Sequence, residues 1–409
     1  MEINKHSFSN GLRLIHSFTD ITQNVTINIL YGAGSRNEKS GKTGIAHLLE
    51  HIMFCGSQNI PNFDQPLEAI GGTSNAFTNN DITNYYLTIP KEAAELGFWL
   101  ESDRMLNPTL SQNSFDTQKK IVLEEFKQNL NEPYGDAHSL LRKLCYKQHP
   151  YKWSTIGQSL DEVENLELKD LLSFHKRNYV PANAVLSITG NISYEDALSL
   201  TEKWFAGIPY SVYVEDNIPD EPEQTSTRFE TYYRNIPQNA IYKAYHICNV
   251  KNKDIFKYDL LSDILANGKS SRLINNLVYE KKLFTSIDAF IENSFDTGLL
   301  RIVGKIQDNV SPKEADAAIN EETEKLRSQI VSDYEMEKWK NKYESTQLAE
   351  RFNIEHLAEM LAFYEYIGQT ERFLNNIDFY NSVSASDILT ISNNLFDSKH
   401  SNTIWYLKN

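Results

Sequence analysis

Hydrophobic positions recur with helical period between Gly44 and Phe54, where Ile45, Leu48, Leu49, Ile52 and Met53 fall at i, i+3, i+4, i+7 and i+8. That spacing predicts an amphipathic helix. On either side the pattern changes to β-branched and aromatic residues, so Asn24 to Leu30 (NVTINIL) and Asn84 to Ile89 (NYYLTI) predict strands. A second long helix is expected over Ser114 to Leu130, and a further strand over Ala182 to Ile188 (ANAVLSI). Periodicity then stops between Pro209 and Arg228, where three prolines and five acidic residues mark an exposed linker. Beyond it, Ala240 to Ile247 and Leu299 to Gly304 predict strands, and Lys313 to Tyr366 is rich in charged helix formers. Two halves, each with strands followed by helices, predict two α+β domains: residues 1–208, a linker at 209–228, and residues 229–409.

The length of 409 residues suits two cores better than one. No run of 18 apolar residues occurs, so no membrane span is expected. The net charge of −15 argues against a nucleic-acid binder and fits a solvated carboxylate surface. Cys55, Cys145 and Cys248 are widely spaced and form no CxxC pair, a pattern of reduced thiols. Met1 to His6 has no apolar stretch of the kind that secretion signals carry. The default location is cytoplasmic, and a periplasm-like space stays open if a leader has been removed.

The first helix carries His47-Leu48-Leu49-Glu50-His51. Residues four apart on a helix stand one above the other, so both histidines can present a ring nitrogen to one ion. Glu50 reaches the same space. A chance His-x-x-Glu-His on a solvated helix would have polar neighbours. Here the neighbours are Ile45, Ala46, Leu48, Leu49, Ile52, Met53 and Phe54, and burying three titratable groups among them without a metal would be costly. The order inverts His-Glu-x-x-His and matches a known zinc-peptidase spacing.

Two histidines leave a catalytic zinc site one protein ligand short. Glu124 and Glu125 are the candidates for the third. Glu124 has Lys120 and Lys127 at i−4 and i+3, the mark of a solvated ion-pairing face. Glu125 follows Ile121 and Val122 and precedes Gln128 and Asn129, a more buried phase, and is the expected ligand.

The stretch Tyr31 to Ser57 (YGAGSRNEKSGKTGIAHLLEHIMFCGS) resembles the N-terminal signature of the pitrilysin family of zinc peptidases, which includes insulin-degrading enzyme and the mitochondrial processing peptidase. Ser74 to Thr78 (SNAFT), Ile121 to Glu125 (IVLEE) and Ser270 to Leu273 (SSRL) match further family pieces in the same order. The resemblance implies two similar domains, each a mainly antiparallel sheet packed with helices, forming half of a clamshell chamber. It implies one zinc per chain on His47, His51 and Glu125, with Glu50 as general base for the attacking water. It also implies that SNAFT lies on an edge strand receiving an extended peptide, with Asn75, Ala76 and Phe77 as substrate-binding residues and Asn75 and Phe77 facing the cleft. For Phe77 an ordinary core role is the alternative.

The chain departs from the family pattern at two places. Where many members carry a second glutamate, seven residues before the third ligand, this chain has Gln118, a neutral amide able to hydrogen-bond beside the ligands. Self-sufficient members also carry an arginine and a tyrosine, seven residues apart, in the second domain. Over Leu277 to Ala289, one alignment puts Tyr279 and Ser286 at those positions and the other Val278 and Thr285. Neither supplies the pair, so a homologous partner subunit is expected to provide it. The rival reading is a non-catalytic structural or chaperone-like subunit of the same fold, which has no need of an intact His47, Glu50, His51 and Glu125 set. His356 and Glu359 echo the motif with Met360 in place of the second histidine and are read as structural.

Overall fold

A computed structural model describes residues 2–409. Its packing divides the chain into two units, each discontinuous in sequence. Residues up to Lys127, Trp153–Ile218 and Leu348–Leu374 form the first; Gln128–Lys152, Pro219–Gln347 and Asn375–Asn409 form the second. Within the expected linker, 209–228, residues 209–227 contain no helix or strand while Arg228 already opens a strand, and the unit boundary after Ile218 falls inside it.

In the first unit, β1 (Asn4–Ser7), β2 (Arg13–Phe18), β3 (Asn24–Tyr31), β4 (Thr73–Thr78), β5 (Thr83–Pro90) and β6 (Ala184–Gly190) form one sheet in the order β1-β2-β6-β3-β5-β4. In the second, β7 (Arg228–Arg234), β8 (Ala240–Ile247), β9 (Phe284–Glu292), β10 (Gly298–Ile306) and β11 (Asn402–Lys408) run in the order β7-β11-β8-β10-β9. Each sheet is antiparallel except for one pair, β2 with β6 and β7 with β11. Leaving β1 aside, the two orders correspond strand for strand, so the expected mainly antiparallel α+β architecture occurs twice. The strand expected from Ala182 begins at Ala184, because Pro181 opens a 3-10 turn over Pro181–Asn183.

The longer helices are, in chain order, α1 (Ile45–Met53), α2 (Ala94–Leu106), α3 (Gln112–Asn131), α4 (Ala137–Cys145), α5 (Leu168–Asn178) and α6 (Tyr194–Phe205). They continue as α7 (Ile255–Ala266), α8 (Pro312–Ser328), α9 (Asp333–Glu350), α10 (Ile354–Tyr366) and α11 (Ala385–Leu395). Alternation along the strands decides what each sheet face holds. Val25, Ile27 and Ile29 of β3 and Tyr85, Leu87 and Ile89 of β5 pack with Leu48, Leu49 and Ile52 of α1 in the main core of the first unit.

The opposite face of that sheet is polar yet buried. It presents Thr26, Asn28, Ser187 and Thr189 to α10, whose Leu357, Ala358, Leu361 and Ala362 are buried. Most of these groups are paired, as buried polar groups must be. Asn28 and Asn84 exchange amide hydrogen bonds of 2.9 and 2.8 Å, Thr26 and Thr88 meet at 2.8 Å, and the Thr189 hydroxyl donates to the Ile354 carbonyl at 2.6 Å. In the second unit the corresponding face is largely apolar. Ala240, Tyr242, Ala244, Ile404 and Tyr406 pack against Leu141, Leu144 and Cys145 of α4. Each sheet is thus covered on this face by a helix from the other half of the sequence.

His175 of α5 stacks on Tyr179 with ring centroids 5.4 Å apart, and its Nε2 is buried without a hydrogen-bond partner. Burial pushes its pKa down to about 4, below the ordinary 6.5. Between those values the unfolded chain binds the proton more readily, so the stability is present above 6.5 and lost as pH falls towards 4. His175→Gln is expected to flatten that acid loss by roughly 2–3 kcal/mol. Urea unfolding at pH 7 and pH 4.5 reads it; an unchanged pH dependence rules it out.

Candidate metal centre

Helix α1 turns its apolar stripe into the core and leaves His47, Glu50 and His51 half-buried on its other side. The two imidazoles lie edge to face with centroids 4.7 Å apart, as i, i+4 spacing requires. Helix α3 brings Glu125 to them. Its Oε2 lies 3.9 Å from Nε2 of His47 and 3.7 Å from Nε2 of His51. Ligands on a tetrahedral zinc with bonds near 2 Å sit about 3.3 Å apart, so small side-chain shifts complete a three-ligand set. Among the described residues no other group of three His, Cys, Asp or Glu side chains converges in this way. The neighbouring Glu124 points elsewhere. It pairs with Lys127 at 2.7 Å, and its side chain is 73% exposed against 41% for Glu125.

Burial, with a smaller contribution from His51, lowers the His47 pKa to about 4. The ring is therefore neutral at pH 7, as a metal ligand must be. Its Nδ1 is buried without a hydrogen-bond partner. Burial raises the Glu50 carboxyl above the usual range, with Glu125 adding to it, while the Thr78 hydroxyl and His51 act against it. The Thr78 hydroxyl donates to Glu50 Oε2. Thr78 lies 3.3 Å from the Thr83 hydroxyl, which itself donates to the Ala33 carbonyl at 2.8 Å. The SNAFT motif signalled Thr78 only as a strand residue, and its bond to Glu50 needs the fold to bring β4 across α1.

Glu50 and His51 open onto a cavity also lined by Phe54, Cys55, Asp64 and Gln118. The Gln118 amide donates to Cys55 Sγ at 3.2 Å, not to a candidate ligand. Strand β4 is an edge of its sheet, with one side of its backbone unpaired. Ala76 and Thr78 stand opposite Tyr85 and Thr83 on the α1 side, whereas Asn75 and Phe77 stand opposite Tyr86 and Asn84 on the other face. In the second unit, Val278 and Tyr279 lie in a π-helical turn and Thr285 and Ser286 on β9. His356 of α10 pairs with Glu350 at 3.5 Å, away from any converging ligand set.

The profile described as "Insulinase (Peptidase family M16)" matches residues 15–159, and that described as "Peptidase M16 inactive domain" matches residues 165–343. The chain belongs to the M16 family of peptidases. Among M16 proteins it is 27% identical over 408 residues to the zinc protease PqqE of Helicobacter pylori, covering 98% of this chain and 91% of that protein. It is 25% identical over 342 residues to the uncharacterized zinc protease YmxG of Bacillus subtilis, covering 80% of this chain and 82% of that protein. The crystal structure of a protease from Helicobacter pylori superimposes with a TM-score of 0.94 at 26% identity, over 99% of both chains. No helix among the described residues is long and apolar enough to cross a membrane.

Proposed function

We propose that this M16 chain is a zinc-dependent endopeptidase subunit that hydrolyses extended peptides or small unfolded proteins. The convergence of His47, His51 and Glu125 beside Glu50 carries the reading. These three side chains would hold one zinc ion, and Glu50 would be the base that deprotonates the attacking water. Bound there, the ion would lower the pKa of a water towards about 7 and polarise the scissile carbonyl. Glu50 takes the water proton. Thr78 holds one of its oxygens and leaves the other free, and a proton affinity raised by burial suits a base that must later return the proton to the leaving amine.

An extended peptide would add to the free edge of β4, drawing on the backbone of Asn75, Ala76 and Phe77. The chain would work in a reducing compartment such as the cytoplasm, in keeping with three cysteines that form no disulfide. A structural, chaperone-like role is the competing reading, and it predicts a chain that binds no zinc.

The arginine–tyrosine pair absent from residues 277–289 would come from a homologous subunit. Zinc-loaded chain alone is expected to cleave a quenched fluorescent peptide slowly, with addition of that subunit raising the rate by about 100-fold or more, the scale of a missing transition-state contact. Full activity of the chain alone would exclude the split site.

A further inference from the structure

The stretch that leads into the HxxEH helix contains a buried acid to which neither the ligand set nor the base gives a task. Glu38 follows the 3-10 turn Ser35–Asn37 and is almost wholly buried. Its Oε2 accepts the Gly44 N–H at 3.0 Å, its Oε1 accepts the Ala46 N–H at 2.9 Å, and the Ile45 N–H also acts on it. These are the first free N–H groups of α1, which a capping side chain normally satisfies. Position 44 cannot supply one. Gly44 has φ +90°, and a Cβ there would sit 2.9 Å from the Ile156 carbonyl oxygen and 3.0 Å from Val163.

The turn that carries Glu38 is itself anchored. The Ser35 and Arg36 N–H groups donate to the Asn79 and Asn80 carbonyls at 3.1 and 2.8 Å, in the loop joining β4 to β5. One carboxyl group therefore ties the start of α1, two residues before His47, to the hairpin that presents Thr78 to Glu50. Because both imidazoles ride on α1, any change in the register of this helix alters their distances to Glu125 together.

We propose that Glu38 is a positioning residue that fixes the register of α1, and through it the zinc-binding geometry of His47 and His51. This rests on the zinc-peptidase reading. The test compares full-length wild type, Glu38→Gln and Glu38→Ala. Zinc affinity is read by competition with a chromogenic chelator, and backbone amide exchange at Gly44 to Ala46 is read in the zinc-free protein. Glu38→Ala is expected to weaken zinc binding about 10- to 100-fold, the scale seen when partners that orient metal ligands are removed. Glu38→Gln keeps the shape and one acceptor, so a smaller loss is expected. Exchange at the three amides should accelerate in both, and because both variants weaken the cap of α1 the zinc-free chains should melt earlier, so zinc affinity is read on the folded fraction.

Equal zinc affinities within twofold would overturn the proposal. So would a loss of stability in which the folded fraction binds zinc as wild type does. A wild-type chain that takes up no zinc would sink the peptidase reading and the zinc role of Glu38 together; accelerated exchange would then leave Glu38 as a helix cap alone.

Discussion

Glu50→Gln is expected to slow peptide hydrolysis about 100- to 10,000-fold, the usual contribution of a positioned general base, while the chain keeps its zinc. Glutamine matches glutamate in shape, and its carbonyl oxygen can still accept the Thr78 hydroxyl. What it cannot do is take a proton. His47, His51 and Glu125 are untouched, so metal content measured on the same sample separates loss of the base from loss of the site. The assay is run with the homologous subunit present if the chain needs one. A variant that keeps more than a tenth of the wild-type rate would remove Glu50 from the role assigned to it.

The second large effect contrasts two adjacent glutamates. Glu125→Ala deletes one of the three proposed protein ligands and is expected to weaken zinc binding about 100-fold or more, taking a ligand's share of a typical structural zinc affinity. Glu124→Ala removes an exposed partner of Lys127 and should leave zinc unchanged, since such surface pairs contribute little. Chelator competition on the two variants reads the difference. Zinc lost from Glu124→Ala and kept by Glu125→Ala would reverse the helical phase on which the ligand set depends.

That phase was legible in the sequence because lysines at i−4 and i+3 flank Glu124 and not Glu125. The apolar stripe of α1 was legible too, since Ile45, Leu48, Leu49, Ile52 and Met53 are all buried. The destination of the run Lys313 to Tyr366 was not. Its charged composition reads as one helical region of the second domain, yet α10 packs in the first unit. Thr26, Asn28, Ser187 and Thr189 explain why. Alternating polar residues on a strand normally signal a face turned to water, and nothing in their own sequence announces a helix more distant along the chain. Thr78 and Glu38 escaped for a related reason, because each acts through a contact made only when β4 and α1 are folded together.

The origin of the covering helices also bears on synthesis. A ribosome completes the first sheet when Gly190 is made, but the helix that seals its second face ends only at Tyr366. During that interval Thr26, Asn28, Ser187 and Thr189 face water, which hydroxyl and amide side chains tolerate; valines and isoleucines there would offer nascent chains a surface on which to aggregate. For the second sheet the order is reversed. Helix α4 has been made before β8 emerges, so Ala240, Tyr242 and Ala244 find their cover waiting, and that face can be apolar.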